Sequence, residues 1–317
     1  MNDRAPIFLH GILFRSGTNY LARLLELHPD CALSSLPEDW LLADSDRLTR
    51  YVDAVSERWS WDPAWNIEPD AGEHLVRHLG DALVSFLHAR SEEAHGKRLV
   101  TKTPDVQALP NFFRLFPNAH LLILIRDGRS VVESSARSFG YPPNQVTSWW
   151  THAAGQIVDF DCTHRGSGLP YRLVRYEELT RDPRREMGKI LRFLDLDPQV
   201  YDFSQIESLP VFGSSTTRSA SGEWEWKISP GSGDLGSLER WSDWSRGQHE
   251  RFNWTAGERL EELGYQAMRS SDHQLLWLCA KLWWLVKDLL RSARALVLMG
   301  SLRLVKRMEP VERTWSQ

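Results

Sequence analysis

Five consecutive residues near the amino end, Arg15, Ser16, Gly17, Thr18 and Asn19 in FRSGTNYL, combine a guanidinium, two hydroxyls, an amide and a flexible turn. They follow the apolar run PIFLHGIL and precede a helical pattern, which puts them at a helix N-terminus. Free backbone N–H groups and the helix dipole favour an anion there, and Arg15 adds a charged fork. A plain capped helix start has the same residue types. The stretch is not a Walker loop: five residues separate Gly11 from Gly17, and Thr18 follows directly without the lysine of G-x-x-x-x-G-K-[ST]. A second basic turn, IRDGRSVVESSAR, puts Arg126 at the end of the apolar run HLLILI and Ser134 eight residues later. That distance is about two helical turns. The pair suits a compact ligand carrying a second phosphate, apart from the first. The alternative is a surface network of Arg126 with Asp127 or Glu133.

Other chemistries find less support. The three cysteines, Cys31, Cys162 and Cys279, are far apart and form no CxxC pair, which argues against a disulfide framework or a thiolate zinc site and fits a reducing compartment. His74 and His78 have i,i+4 spacing but no third ligand in sight, so a solvated helix face is the better reading and no metal is expected. The net charge of −4 and pI near 6.3 leave no global basic field for nucleic acid, so anion binding has to come from local clusters. Fifteen tryptophans are enough that some should wall a cleft or a surface.

The elements that position these residues alternate between strand and helix. Residues 6–13 read as a buried strand, 17–28 as a helix, and roughly 39–60 and 71–95 as polar helical stretches. RLVTKTP is a short strand, VQALPNFFRLF a helix, and HLLILI a central strand buried on both faces. YRLVRYEEL reads as strand and turn, and DPRREMGKILRFLDL as a helix from Pro183. The alternation predicts an α/β fold with a parallel sheet, whose ligands lie at the carboxyl ends of the strands. Both arginine turns belong at that end. Between Phe212 and Leu235 the many Gly and Ser residues predict a loop, and Trp224, Trp226 and Lys227 within it raise the option of a lid.

The ordered set FRSGTNYL, LHPD, TKTP, LILIRDGRSVVESSARS and RLVRYEEL resembles the sulfotransferases that use 3′-phosphoadenosine 5′-phosphosulfate (PAPS), above all the bacterial and tyrosylprotein branches, over roughly residues 6–265. The resemblance implies a P-loop-like parallel sheet flanked by helices. It assigns the 5′-phosphosulfate to Arg15, Ser16, Gly17, Thr18 and Asn19, and the 3′-phosphate to Arg126 and Ser134. It puts Tyr176 near the nucleotide and Lys102 close to the sulfuryl group. Glu38, the acid about twenty residues after the loop arginine, is implied as the base, with its neighbour Asp39 pointing elsewhere. The cytosolic branch uses a histidine instead, for which His10 and His120 are the weaker candidates. The family's usual Pro before R-S-G-T is Phe14 here, and Asn19 stands where Thr or Ser is common. Neither change removes a phosphate donor. Contacts by Ser214, Thr216, Arg218 or Lys227 are not assigned by the resemblance.

Sulfuryl transfer resembles phosphoryl transfer in relying on positioning and electrostatics, and Arg15 and Lys102 can neutralise charge on the leaving phosphate without a metal. The expectation is a cytoplasmic enzyme with a sulfotransferase domain over 1–268. It takes PAPS as co-substrate and releases adenosine 3′,5′-bisphosphate. The acceptor is a hydroxyl, less favourably an amine, of a small molecule, glycan or lipid. An ATP-dependent kinase and a non-catalytic nucleotide-binding or membrane scaffold are the rival readings. Residues 269–317 are expected as a helical appendage. Within them Lys281, Lys287, Asp288, Arg291 and Arg294 fall within an arc of roughly 140° at helical spacing. Such a helix lies on a membrane surface, or packs on its own domain or a second subunit.

Overall fold

The computed structural model describes residues 5–209, 211–218, 224–229 and 238–269, and helical positions at 279–280, 282–284 and 286–287. In chain order the first half contains β1 (Ile7–Gly11), α1 (Thr18–Glu26), β2 (Cys31–Leu33), α2 (Ser45–Trp59), α3 (Ala71–Arg90), β3 (Arg98–Thr103), α4 (Phe112–Leu115) and β4 (His120–Ile125). Then follow α5 (Gly128–Phe139), α6 (Pro143–His164), β5 (Tyr171–Arg175), α7 (Tyr176–Arg181), α8 (Pro183–Phe193), β6 (Val211–Arg218), β7 (Trp224–Ser229) and α9 (Arg246–Glu262).

Strands β2-β3-β1-β4-β5 form a five-stranded parallel sheet, with β1 in the middle. Continuous apolar runs suit β1 and β4 to this place because both faces are covered. Phe8, Leu121 and Ile123 pack on one side with Phe112, Val131 and Trp150; Ile7, Leu9, Leu122 and Leu124 pack on the other with Leu21, Leu25 and Ile190. Each such fully buried side chain stabilises the fold by about 1.5–3 kcal/mol. All five strands run the same way, so the β1–α1 turn, the β4–α5 turn and the start of α7 meet at one rim.

Several elements differ from the sequence expectation. The helix expected from residue 39 starts only at Ser45, because residues 39–41 are hydrogen-bonded to β3 and to their own side chains instead. Over 106–116 a 3₁₀ turn at Leu109–Asn111 leads into the single turn α4, Pro110 having no N–H to give. The turn after β5 is a helix, α7. Residues expected as a loop form the antiparallel hairpin β6–β7, with Thr216 opposite Trp226 and Thr217 opposite Glu225. Val, Phe, Thr, Trp and Ile supply strand propensity there, between the Gly- and Ser-rich runs. β6 lies against α1 and α5. The side chains of Ser214, Thr216, Arg218, Trp224, Trp226 and Lys227 lie outside what is described, as do Lys281, Asp288, Arg291 and Arg294.

Candidate active site

The β1–α1 loop is shaped by two glycines. Gly17 caps α1 with φ 99°, and a Cβ there would sit 2.4 Å from the Tyr176 ring. Gly11 has Ser16 Oγ where its Cβ would be, at 2.3 Å. Among the described residues no side chain caps α1 and no acid stands in its first turn, so its leading N–H groups face the rim. Ser16 is fully buried and its hydroxyl has no hydrogen-bond partner. Such an orphaned group is costly unless a ligand completes it.

Arg15 also holds a left-handed conformation, φ 67°. Its carbonyl accepts from an Arg126 terminal nitrogen at 2.6 Å, and its own Nε donates to Ser134 Oγ at 3.0 Å. The two candidate groups are therefore in contact through Arg15. The Arg126 guanidinium lies 4.3 Å over the buried Tyr176 ring, which thus supports both Gly17 and Arg126. Burial, then Arg126, then Arg240 push the Arg15 pKa down to about 10. No carboxylate pairs with Arg15 among the described residues. The acids beside Arg126 serve other partners: Asp127 holds Arg129 and Glu133 holds Arg137. Arg240 had no motif to reveal it. The chain brings it to the rim from beyond the hairpin.

Glu38 and Lys102 form the second group. Lys102, next to last in β3, lies beside Leu9 of β1 and donates to the Pro37 carbonyl. Burial raises the Glu38 carboxyl above its ordinary value, while Lys102 and a hydrogen bond from Trp40 oppose the shift. Burial lowers the Lys102 ammonium, opposed by Glu38 and Asp39. Asp39 does point elsewhere: buried, it accepts from Thr101 Oγ1 at 2.6 Å and Leu41 N at 2.9 Å. With Trp40 N on Thr103 Oγ1, it ties the segment carrying Glu38 to β3. A cleft of about 350 Å³ between α1 and residues 33–37 has Asn19 of the β1–α1 loop and Lys102 in its walls, linking the two groups.

On the other side of Arg15, whose guanidinium lies 5.6 Å over the Phe139 ring, Phe14 meets Phe139, Tyr141 and Trp149 at 5.6–5.9 Å between centroids. Tyr141 and Trp149 remain 40% and 36% exposed, an aromatic wall next to the loop. Of the weaker base candidates, His10 lies close to the Glu38–Lys102 group, in register with Thr103 and facing the charge of Asp39, whereas His120 is distant. His10 is buried with Nδ1 on the Asp105 carbonyl, and His120 opens β4 at the far end of the sheet beside Arg98. On exposed α3, His74 pairs with Asp70 and His78 faces Asp81.

Comparison with known proteins bears on this arrangement. The chain is 26% identical over 233 residues to protein-tyrosine sulfotransferase A of Caenorhabditis elegans, covering 69% of this chain and 58% of that protein. It is 27% identical over 226 residues to the nodulation protein NoeE of Sinorhizobium fredii, covering 63% and 52%. It thus spans about half to three-fifths of the length of these curated relatives. Among solved structures, the sulfotransferase domain from the curacin biosynthetic pathway superposes with TM-score 0.53 at 18% identity, over 84% of this chain and all of that one. The sulfotransferase domain of the Synechococcus PCC 7002 olefin synthase gives TM-score 0.51 at 22% identity, over 84% and 97%. These two share the fold. The model of the Sulfotransferase family matches residues 6–200, more than half of the chain, and with its parallel sheet and arginine-lined rim the protein belongs to that family.

Proposed function

We propose that this protein transfers a sulfuryl group from PAPS to an acceptor hydroxyl of a small molecule, glycan or lipid. The observation that carries the reading is the rim cluster. Arg15, Arg126 and Arg240 converge on an uncapped helix N-terminus beside the orphaned hydroxyl of Ser16. A guanidinium depressed by burial and by two neighbouring cations, as Arg15 is, is stabilised by an anion of high charge. Ser16, Gly17, Thr18 and Asn19 would hold the 5′ end and Arg126 with Ser134 the 3′-phosphate, Arg15 leaving Ser134 for the 5′ side. The acceptor oxygen forms its bond to sulfur as the bond from sulfur to the phosphate oxygen breaks. Its proton passes to Glu38, and Lys102 with Arg15 neutralises charge on the departing phosphate. A carboxylate raised by burial suits a base near neutral pH. These side chains meet the charge requirement without a metal. The wall of Phe14, Tyr141 and Trp149 favours an acceptor with a flat apolar face, aromatic ring or sugar.

Calorimetry with adenosine 3′,5′-bisphosphate and ADP tests the reading. The bisphosphate binds far more tightly, and Arg126→Ala removes most of the difference. One charged hydrogen bond is worth about 1.5–3 kcal/mol, roughly ten- to a hundredfold. Equal affinities for the two nucleotides would refute the assignment.

A further inference from the structure

The basic C-terminal segment plays no part in the site above. Residues 275–308 carry seven Lys or Arg against the single acid Asp288, a net +6 in a protein whose total is −4. We infer that this segment docks the protein on an anionic lipid surface through an apolar ridge that the catalytic domain leaves uncovered. The helical positions here show which way the ridge faces. The Trp284 ring meets the Arg251 guanidinium of α9 at 5.4 Å, so this side is turned to the domain. Leu282, Trp283 and Val286 are 56%, 57% and 48% exposed. At about 100° per residue these three share an arc of about 100°, centred about 150° from Trp284.

The apolar ridge therefore points outward, away from the domain. Lys287 flanks it, with Nζ 5.0 Å from the Trp283 ring centroid. An apolar ridge edged by Trp and Lys is the arrangement of a helix lying in the headgroup boundary, the indole at the interface and the ammonium reaching out to anionic groups. On α9, Trp254 stands one turn from Arg251 and is 40% exposed; Met268, whose carbonyl accepts from Asn253, is 50% exposed. Both extend the apolar surface at this end. Charge favours an anionic bilayer over the tail of a second copy. Two tails of net +6 repel each other, whereas an anionic bilayer complements them. Among the described residues no helix is long and apolar enough to cross a membrane, and the charges spaced along 281–307 suit attachment to the surface.

The test is co-sedimentation of the full-length protein with vesicles of phosphatidylcholine, with and without phosphatidylglycerol. Binding is expected on the anionic vesicles, absent from the neutral ones and lost in high salt. The double variant Leu282→Asp, Val286→Asp should bind roughly tenfold or more weakly, having lost the ridge while the basic residues remain. Its affinity for adenosine 3′,5′-bisphosphate should equal the parent's, which also reports that it is folded. Failure to bind anionic vesicles at low salt overturns the inference. So does equal binding by the double variant. A dimer in solution that the same substitutions dissolve would make a second copy the occupant instead.

Discussion

At the scale of single residues, the reading turns on which carboxylate at 38–39 faces the chemistry. Glu38 is half-buried beside Lys102 and Trp40, whereas Asp39 is spent on Thr101 and Leu41. Glu38→Gln keeps the shape and removes the base, so turnover should fall about 10²–10⁴-fold. Binding of adenosine 3′,5′-bisphosphate, measured by calorimetry, should not change. The pH profile is a second readout. A base acts ionised, so activity rises as pH passes upward through its pKa. Burial raises that pKa, which puts the acid limb above the ordinary carboxylate range. In Glu38→Gln this limb should disappear from the residual activity. Asp39 is a poor silent control, since Asp39→Ala strands the buried Thr101 hydroxyl at a cost of about 1–3 kcal/mol. It should lower Tm and, by loosening the segment, turnover, with the acid limb retained.

At the scale of elements, the close approach of helices to their neighbours makes two glycine substitutions informative. Alanine in place of a helical glycine ordinarily gains about 1 kcal/mol. In α3, however, a Cβ on Gly80 would lie 1.8 Å from the Leu115 carbonyl oxygen of α4, a backbone atom that cannot rotate away. Gly80→Ala should therefore lower stability by about 1–3 kcal/mol, the usual cost of overpacking. Thermal unfolding checks the sign, and nucleotide affinity should stay intact because α3 is remote from the rim. Gly17→Ala tests the junction of loop and helix. Its positive φ and the Tyr176 ring both oppose a side chain, so nucleotide affinity should drop even where the fold survives. The hairpin β6–β7 is the element least apparent from composition, because its Gly and Ser runs mask strand-forming residues that need each other's register to pair.

At the scale of the whole molecule, the nucleotide binding proposed above would be linked to folding. A ligand that binds the folded chain alone stabilises it by about 2.7 kcal/mol at a hundred times its Kd. Adenosine 3′,5′-bisphosphate should thus raise Tm by several degrees in thermal denaturation, ADP by less, and neither to the same extent in Arg126→Ala. The candidate rim was partly legible in advance. Runs such as HLLILI carry their own evidence of a strand buried on both faces, and a turn rich in hydroxyls next to a helix carries its own evidence of an anion site. The interval from Arg126 to Ser134 is likewise local, so helical geometry alone puts them within reach of one ligand. Other features depend on neighbours far along the chain. Arg15 bonds Ser134 across 119 residues, and Asp39 meets Thr101 across 62. Arg240 comes to Arg15 from beyond the hairpin, and the edge strand β2, three residues long, exists because β3 pairs with it. Local propensity and periodicity act over a few residues, so they determined strands β1, β3, β4 and β5, most helices and the residue types of the site. Which distant residues share the rim, and which of two adjacent acids faces it, was decided only when the sheet brought their strands side by side.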